Sequence, residues 1–170
     1  LIAERPNDGS VEIIVVDNGS SDRTPAVVAA CPAVAHIVEP ERGLAHARNT
    51  GLEVSSAELV AFVDDDARPE PGWAAGVLAA RSRWPSGAAL GGPVLLEWGG
   101  ARPSWVVPDL HRWFSAIDHG PVARLLGPDE ALVGANMAVA RDQALAVGAF
   151  APELGRMGAS LLSGEEVDLL

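Results

Sequence analysis

Three short apolar runs, each separated from the next by a helical pattern, limit what this chain can fold into more than any other feature. The runs are VEIIVVD (11–17), AHIVEP (35–40) and ELVAFVD (58–64). Runs this short and apolar are typical of strands that are buried on both faces, and helices between parallel strands cover those faces. The pattern therefore predicts an α/β fold in which helices flank a mostly parallel sheet.

The length and the hydrophobic content of the chain predict a single domain. Its 170 residues, 48% of them hydrophobic, suffice for one core but not comfortably for two. We interpret 1–170 as one domain, and we expect it to be truncated at both ends because it lacks an initial Met and stops in a predicted first helical turn, GEEVDLL. Over 99–128 the pattern weakens and tryptophans mix with Gly and Pro, which predicts a Trp-rich loop insertion within the domain.

Charge and hydropathy exclude several classes of partner. The net charge is −11, and the 12 basic residues, all arginine, form no basic run, which excludes nucleic acid as the main partner. An anionic ligand would need a cation to accompany it. Membrane-spanning helices need about 18 or more apolar residues, and this sequence has no such uncharged stretch. We therefore expect a cytoplasmic protein, at the inner face of a membrane if segments outside this chain make the contact.

Three consecutive aspartates, Asp64, Asp65 and Asp66, follow the third apolar run. Like charges this close repel one another and raise one another's pKa, so a cation is expected to compensate them. Alternation along a strand end would place Asp64 and Asp66 on one side, a D-x-D spacing that suits a hard divalent ion with open positions for phosphate oxygens. The alternative is a solvated acidic turn before the prolines of RPEP.

Two further acidic features are candidates for function. Asp17 ends the first run, and ligands of open parallel sheets bind beyond the carboxyl ends of the strands; its alternative role is to form the turn that follows. Glu165 and Glu166 follow Gly164 in the segment GEEVDLL. Ser163 and Glu166 have the spacing of a capping box, whereas a carboxylate beside a cleft could also act as a general base. The two roles of Glu166 are compatible.

Five segments of the sequence together carry a resemblance to a known family. They are VEIIVVDNGSSDRT, ERGLAHARNTGL, LVAFVDDDARPEPGW, LVGANMAVAR and LLSGEEVDLL. In this order they resemble the successive motifs of family 2 glycosyltransferases with the GT-A fold, and they cover nearly the whole chain. The opening strand of that family would lie upstream of Leu1.

The resemblance implies an inverting, metal-dependent glycosyltransferase. It would move a sugar from a nucleotide-diphosphate donor, a UDP-sugar, to a hydroxyl of a glycan or lipid-linked glycan, as in polysaccharide biosynthesis, with Mg²⁺ or Mn²⁺. Asp66 and Asp64 would be the metal ligands, and Glu166 the catalytic carboxylate, with Glu165 as a rival because the motif reads Glu-Glu instead of Glu-Asp. The donor-binding residues implied by the resemblance are Asp17, Arg48, Asn49, Asp64, Asp65, Gly134 and Asn136.

Two alternative functions remain open on the sequence alone. A nucleotidyltransferase also uses a metal at a strand end, but it would carry a Gly-rich basic phosphate loop near its first strand. A non-catalytic sugar-nucleotide-binding module would retain the acidic sites without turnover. A dinucleotide-binding Rossmann domain is disfavoured because no G-x-G-x-x-G follows a predicted strand.

Overall fold

The chain folds as alternating strands and helices, which the computed structural model describes over residues 10–127, 129–155 and 164–170. The strands within these residues are β1 (Ile14–Asp17), β2 (Ala35–Val38), β3 (Leu59–Phe62), β4 (Ala89–Gly91) and β5 (Met137–Ala140). The α-helices are α1 (Thr24–Ala29), α2 (Leu44–Val54), α3 (Trp73–Arg83), α4 (Arg141–Ala146) and α5 (Glu165–Leu169). Short 3₁₀ helices occupy Pro108–Phe114, Gly134–Asn136 and Pro152–Leu154. The α/β organisation expected from the sequence is present.

Within the described residues, the strands form two sheets. β1 and β2 pair in parallel, with Asp17 opposite Val38. In the second sheet the order is β3-β5-β4, and β5 runs antiparallel to both neighbours. The sequence predicted a parallel series for the first three strands, and β1 and β2 follow it. β3 pairs instead with β5, because the chain returns after β4 and lays the fully buried β5 between β3 and β4.

Helix α2 packs across both sheets. A Cβ atom built on Gly51 would lie 3.8 Å from Val16 Cγ2 in β1 and 3.9 Å from Phe62 Cε1 in β3, so the helix contacts both strands at this position. The next residue, Leu52, is fully buried and belongs to the hydrophobic core. Helix α2 therefore links β1 to β3, and it brings the segments that follow these two strands under one helix.

Phe150 is the largest fully buried side chain described in the core. Its ring meets Phe62 edge to face, with 5.3 Å between ring centroids. Asn49 on α2 holds the backbone of Phe150 from both sides: its Oδ1 accepts from the Phe150 N–H at 2.9 Å, and its Nδ2 donates to the Phe150 carbonyl at 2.8 Å. This amide supplies the backbone pairing that a strand would otherwise provide, and it ties the loop after α4 to α2.

The segment 99–127, predicted as a Trp-rich loop, contains a short helix and exposed aromatic surface. Two backbone hydrogen bonds between Val94 and Ile117, at 2.8 and 2.9 Å, close the chain around most of it. Phe114 packs 6.4 Å from Trp105, centroid to centroid, and Trp105 is 64% exposed. Among the described residues, no helix combines the length and the apolar character that crossing a bilayer requires.

Replacing Asn49 with Leu is expected to destabilise the fold. The substitution leaves the buried N–H and carbonyl of Phe150 without partners, which should lower the free energy of unfolding by roughly 2–6 kcal/mol, at about 1–3 kcal/mol for each buried polar group. Gln143→Leu, on the exposed face of α4, is the matched amide control and should change stability by less than about 0.5 kcal/mol. Urea denaturation of both variants measures the difference, and equal midpoints would contradict a structural role for Asn49.

Candidate active site

Arg48 is a buried cation at which three carboxylates meet. Its side chain, on α2, is only 4% exposed. Nη1 donates to Glu165 Oε1 at 3.0 Å and to Glu166 Oε1 at 2.9 Å, and Nη2 donates to Asp64 Oδ1 at 3.3 Å. A planar guanidinium can bind several carboxylates at once because its donors form a rigid fork. The cluster thus joins α2, the segment after β3 and α5.

The surroundings of Arg48 fix the position of its guanidinium. The Cζ atom lies 5.5 Å from the centroid of the Phe150 ring, and Phe150 is itself held by Asn49. Gly134 lies against the Arg48 guanidinium and the Glu166 carboxylate. A Cβ built at Gly134 would overlap the guanidinium and lie 2.7 Å from Glu166 Oε1. Only glycine fits at position 134 with this arrangement of side chains.

The aspartate triplet forms a turn and not a strand end. β3 ends at Phe62, and the Ala67 N–H donates to the Asp64 carbonyl at 3.0 Å, so strand alternation does not apply to the triplet. Asp64 faces Arg48 and is 35% exposed, while Asp65 and Asp66 are exposed. The expectation that alternation sets the direction of these side chains is therefore corrected, because the strand stops two residues earlier than the pattern suggested.

The cluster carries more negative than positive charge. Burial raises the pKa of Asp64 above its usual value; the Arg48 guanidinium opposes this rise, while Asp66 and Glu166 add to it. In the part of the chain that the structure describes, no group of three or more His, Cys, Asp or Glu side chains is arranged to hold a metal ion. The donor set at Asp64 and Asp66 nevertheless fits a hard divalent cation that takes its remaining ligands from phosphate oxygens and water.

Asp17 lies in the other sheet, at the end of β1, and is 5% exposed. Its Oδ1 accepts from the Ser20 N–H at 2.8 Å, and its Oδ2 is 3.6 Å from His36 Nε2 on β2. The hydrogen bonds from Ser20, helped by His36, hold the pKa of Asp17 below its usual value. Asp17 therefore forms the turn that the sequence offered as its alternative role, and it stays ionised at neutral pH.

Asn18 and His36 complete the surroundings of Asp17, and sequence reasoning did not select either. Asn18 Oδ1 accepts from the Gly43 N–H at 2.7 Å, just before α2, and its Nδ2 donates to the Glu39 carbonyl at 3.0 Å. His36 Nε2 is buried and finds no hydrogen-bond partner among the residues that the structure describes. The adjacency of Asn18 to Asp17 was visible in the sequence, but the approach of His36 depends on strand pairing.

The apolar segment ALVGANMAVAR predicts a strand through Gly134 and Asn136, but these residues form a 3₁₀ turn before β5. The Asn136 N–H donates to the Val133 carbonyl at 2.9 Å and closes this turn. Asn136 Oδ1 accepts from Trp73 Nε1 at 2.8 Å, and its Nδ2 donates to the Pro93 carbonyl at 3.0 Å. Asn136 therefore ties the turn to the start of α3 and to the segment after β4.

The two glutamates of α5 have different surroundings. Glu165 is buried, with 3% of its side chain exposed, and its Oε2 accepts from the Gly164 N–H at 3.1 Å. Glu166 is 16% exposed. The residue that precedes the helix is Gly164, without a side-chain cap, and the predicted capping partner Ser163 lies outside the described residues. The structure thus brings Arg48, Asp64, Gly134, Glu165 and Glu166 together, while Asn49 faces Phe150.

Two curated proteins from Haloferax volcanii are similar to this chain in sequence. Glucosyl-dolichyl phosphate glucuronosyltransferase is 29% identical over 125 residues, which cover 74% of this chain and 40% of that protein. Glycosyltransferase AglE is 40% identical over 67 residues, which cover 36% of this chain and 22% of that protein. The chain therefore spans less than half the length of these relatives.

Solved glycosyltransferase structures share the fold. GalNAc-T7, in a crystal structure with UDP, GalNAc and Mn²⁺, superposes with a TM-score of 0.63 at 17% identity, covering 93% of this chain and 34% of that one. The mannosyltransferase PcManGT from Pyrobaculum calidifontis, in complex with GDP-Man and Mn²⁺, superposes with a TM-score of 0.57 at 27% identity, covering 90% and 42%. The expected GT-A fold is confirmed.

The family assignment comes from a match over most of the sequence. The profile of the family described as Glycosyl transferase family 2 matches residues 2–145. This span includes β1, α2 and the turn of three aspartates after β3, which carry Asp17, Arg48 and Asp64 respectively. The chain belongs to glycosyl transferase family 2.

Proposed function

We propose that this chain is the catalytic region of an inverting glycosyltransferase, which moves a sugar from a UDP-sugar to a hydroxyl group of a lipid-linked acceptor. The observation that carries the proposal is that the Glu166 and Asp64 carboxylates both contact Arg48. Asp64 lies in the turn that also exposes Asp66. This arrangement sets a carboxylate able to act as a base close to carboxylates able to hold a metal with a diphosphate. Membership of family 2 supports glycosyl transfer as the reaction.

Asp66, with Asp64 behind it, would hold Mg²⁺ or Mn²⁺. One or two carboxylates together with phosphate oxygens form a common ligand set for hard divalent ions. The ion would supply Lewis-acid stabilisation of the negative charge that the diphosphate gains as the glycosidic bond breaks. PcManGT, 27% identical to this chain, was determined with GDP-Man and Mn²⁺, which supports this pairing of metal and nucleotide sugar. The third aspartate, Asp65, would lie beside the donor.

Glu166 would act as the general base. It accepts the proton of the acceptor hydroxyl while that oxygen attacks the anomeric carbon on the face opposite the leaving diphosphate, which inverts the configuration. The difference in exposure supports Glu166 over Glu165, because 16% of the Glu166 side chain is accessible against 3% for Glu165. Glu165 instead neutralises Arg48 from the buried side.

Asp17 would bind the donor base. A carboxylate kept ionised by the Ser20 N–H can accept a hydrogen bond from the imide N–H of uracil. Its position at the carboxyl end of β1 supports this role, since ligands of α/β sheets bind at that edge. Oδ2, on the side of His36, is the oxygen that would meet the base.

The acceptor is proposed from a relative's chemistry. Glucosyl-dolichyl phosphate glucuronosyltransferase from H. volcanii, 29% identical over 74% of this chain, supports a sugar acceptor carried on a lipid phosphate. The enzyme would then work at the cytoplasmic face of a membrane and contact it through segments outside this chain.

Removing the Asp66 charge should abolish the metal dependence of nucleotide binding. In the complete enzyme we expect UDP to bind at least about tenfold more tightly with Mn²⁺ than with EDTA, and Asp66→Asn should erase this difference because an amide is a poor ligand for a hard cation. Asp142→Asn, on α4 with 90% of its side chain exposed, is the matched control outside this turn. Isothermal titration calorimetry with UDP, and with GDP for comparison, measures the dissociation constants in Mn²⁺ and in EDTA. Equal wild-type affinity with Mn²⁺ and EDTA would contradict the metal role.

Asp17→Asn should weaken UDP binding by roughly 1–3 kcal/mol, the scale of a lost hydrogen bond to a charged group. The amide oxygen can still accept from the Ser20 N–H, so the turn and the unfolding temperature should be preserved. Asp22→Asn is the matched control, because exposed Asp22 likewise accepts from a backbone N–H, that of Thr24 at 2.9 Å. Unchanged uridine and UDP affinities in Asp17→Asn would leave Asp17 with its turn-forming role alone.

Glu166→Gln should slow turnover without weakening donor binding. The amide keeps the shape but cannot take a proton, so kcat should fall by about 10²-fold or more while the UDP Kd stays within about threefold. Turnover is measured as labelled sugar passing from the UDP donor into lipid-extractable product. Asp168→Asn, exposed on the same helix, is the control. If Glu165→Gln is the inactive variant and Glu166→Gln turns over normally, the base is one residue earlier.

A further inference from the structure

The contacts of Arg48 point to a role that differs from donor binding. We propose that Arg48 is a positioning residue that holds the Glu166 carboxylate in the orientation its chemistry requires, and that Gly134 leaves the space in which the two side chains meet. This inference rests on the proposed role of Glu166 as the base. It goes beyond that role because the resemblance assigned both Arg48 and Gly134 to the donor pocket.

The guanidinium of Arg48 already donates hydrogen bonds to carboxylates of the protein itself. Its side chain is 4% exposed, Nη1 is shared by Glu165 and Glu166, and Nη2 contacts Asp64. To reach a diphosphate, the guanidinium would have to leave these carboxylates buried without their cation, which is costly. Arg48 is therefore placed to act through its carboxylate partners and not on the donor.

Glu166 needs such a partner because it begins a short helix. Helix α5 has five residues, and Glu166 is the second of them. A glutamate side chain has three rotatable bonds, and leaving them free lowers the fraction of time the carboxylate points at the acceptor. The 2.9 Å hydrogen bond from Arg48 Nη1 to Oε1 restricts these bonds, and it leaves the partly exposed carboxylate facing the site.

Gly134 makes this contact possible. A Cβ at this position would overlap the Arg48 guanidinium and lie 2.7 Å from Glu166 Oε1, so it would push apart the two groups that must meet. The 3₁₀ turn over Gly134–Asn136 is anchored elsewhere, through Asn136 to Trp73 and Pro93. The turn is thus held against the Arg48–Glu166 pair and does not simply move away.

A double-mutant cycle on the complete enzyme tests the positioning role. Arg48→Gln should reduce kcat by about 30-fold or more while the UDP Kd stays within about threefold, the split expected when only the base is misplaced. Because Arg48 would act through Glu166, Arg48→Gln combined with Glu166→Gln should be no slower than Glu166→Gln alone. The inference would be overturned if the double variant lost kcat by the product of the two single losses. It would also be overturned if Arg48→Gln weakened the UDP Kd more than about tenfold.

Gly134→Ala keeps every charge of the cluster and tests the same point if Arg48→Gln fails to fold. We expect kcat to fall about tenfold or more with an unchanged UDP Kd. Gly76→Ala, at an exposed position of α3 where an added Cβ meets no atom of the described residues within 4 Å, is the matched control and should behave as the wild type. A wild-type kcat in Gly134→Ala would overturn the inference, and so would a loss of UDP affinity with kcat retained.

Failure of this inference and failure of the proposed function give different results. If Glu166→Gln turns over at the wild-type rate, the assignment of the base is wrong. If Glu166→Gln is slow and adding Arg48→Gln lowers kcat by the same factor as in the single variant, Glu166 remains the base and only the positioning role of Arg48 is wrong. Arg48→Lys adds a further check, because one ammonium cannot reproduce the fork that reaches three carboxylates, so its kcat should lie between those of the wild type and Arg48→Gln.

Discussion

The buried guanidinium of Arg48 is the interaction on which the rest of the site depends. It joins three segments that are separate along the chain, and its bond to Glu165 spans 117 residues of sequence. An unpaired charge at this depth would cost several kcal/mol, and removing one member of such a network costs about 3–5 kcal/mol. The carboxylates therefore reach Arg48 only when α2, the β3 turn and α5 are all in place, so the site forms together with the fold.

Helix α2 carries this constraint into the core. Gly51 and Leu52 pack against β1, β3 and the hydrophobic cluster, and Arg48, one turn earlier on the same buried face, reaches the site. Asn49, the next residue, holds the Phe150 backbone. Two adjacent polar residues thus do different work: Asn49 fixes Phe150, and Phe150 in turn backs the Arg48 guanidinium at 5.5 Å. A substitution at Phe150 should displace the Arg48 guanidinium and the carboxylates that it binds, because these groups are close-packed against one another.

The balance of charge links the structure to the proposed chemistry. Three carboxylates face one guanidinium, and burial raises the pKa of Asp64 while Arg48 opposes the rise. A site with this surplus is suited to a ligand that brings its own cation, such as a metal nucleotide diphosphate. The same guanidinium that limits repulsion in the free protein also orients Glu166. The proposed proton transfer at Glu166 therefore depends on a residue that touches neither substrate.

The sequence by itself determined which segments become strands and helices, and which residue types lie at their ends. Local periodicity predicted β1, α2 and β3, and the motifs singled out Asp17, Asp64 and Glu166. Only the tertiary structure decided that β5 lies between β3 and β4, that the triplet turns before alternation can act on it, and that Arg48 meets Glu166. The reason is physical: periodicity records which side of an element is buried, whereas pairing across more than a hundred residues depends on how whole elements pack.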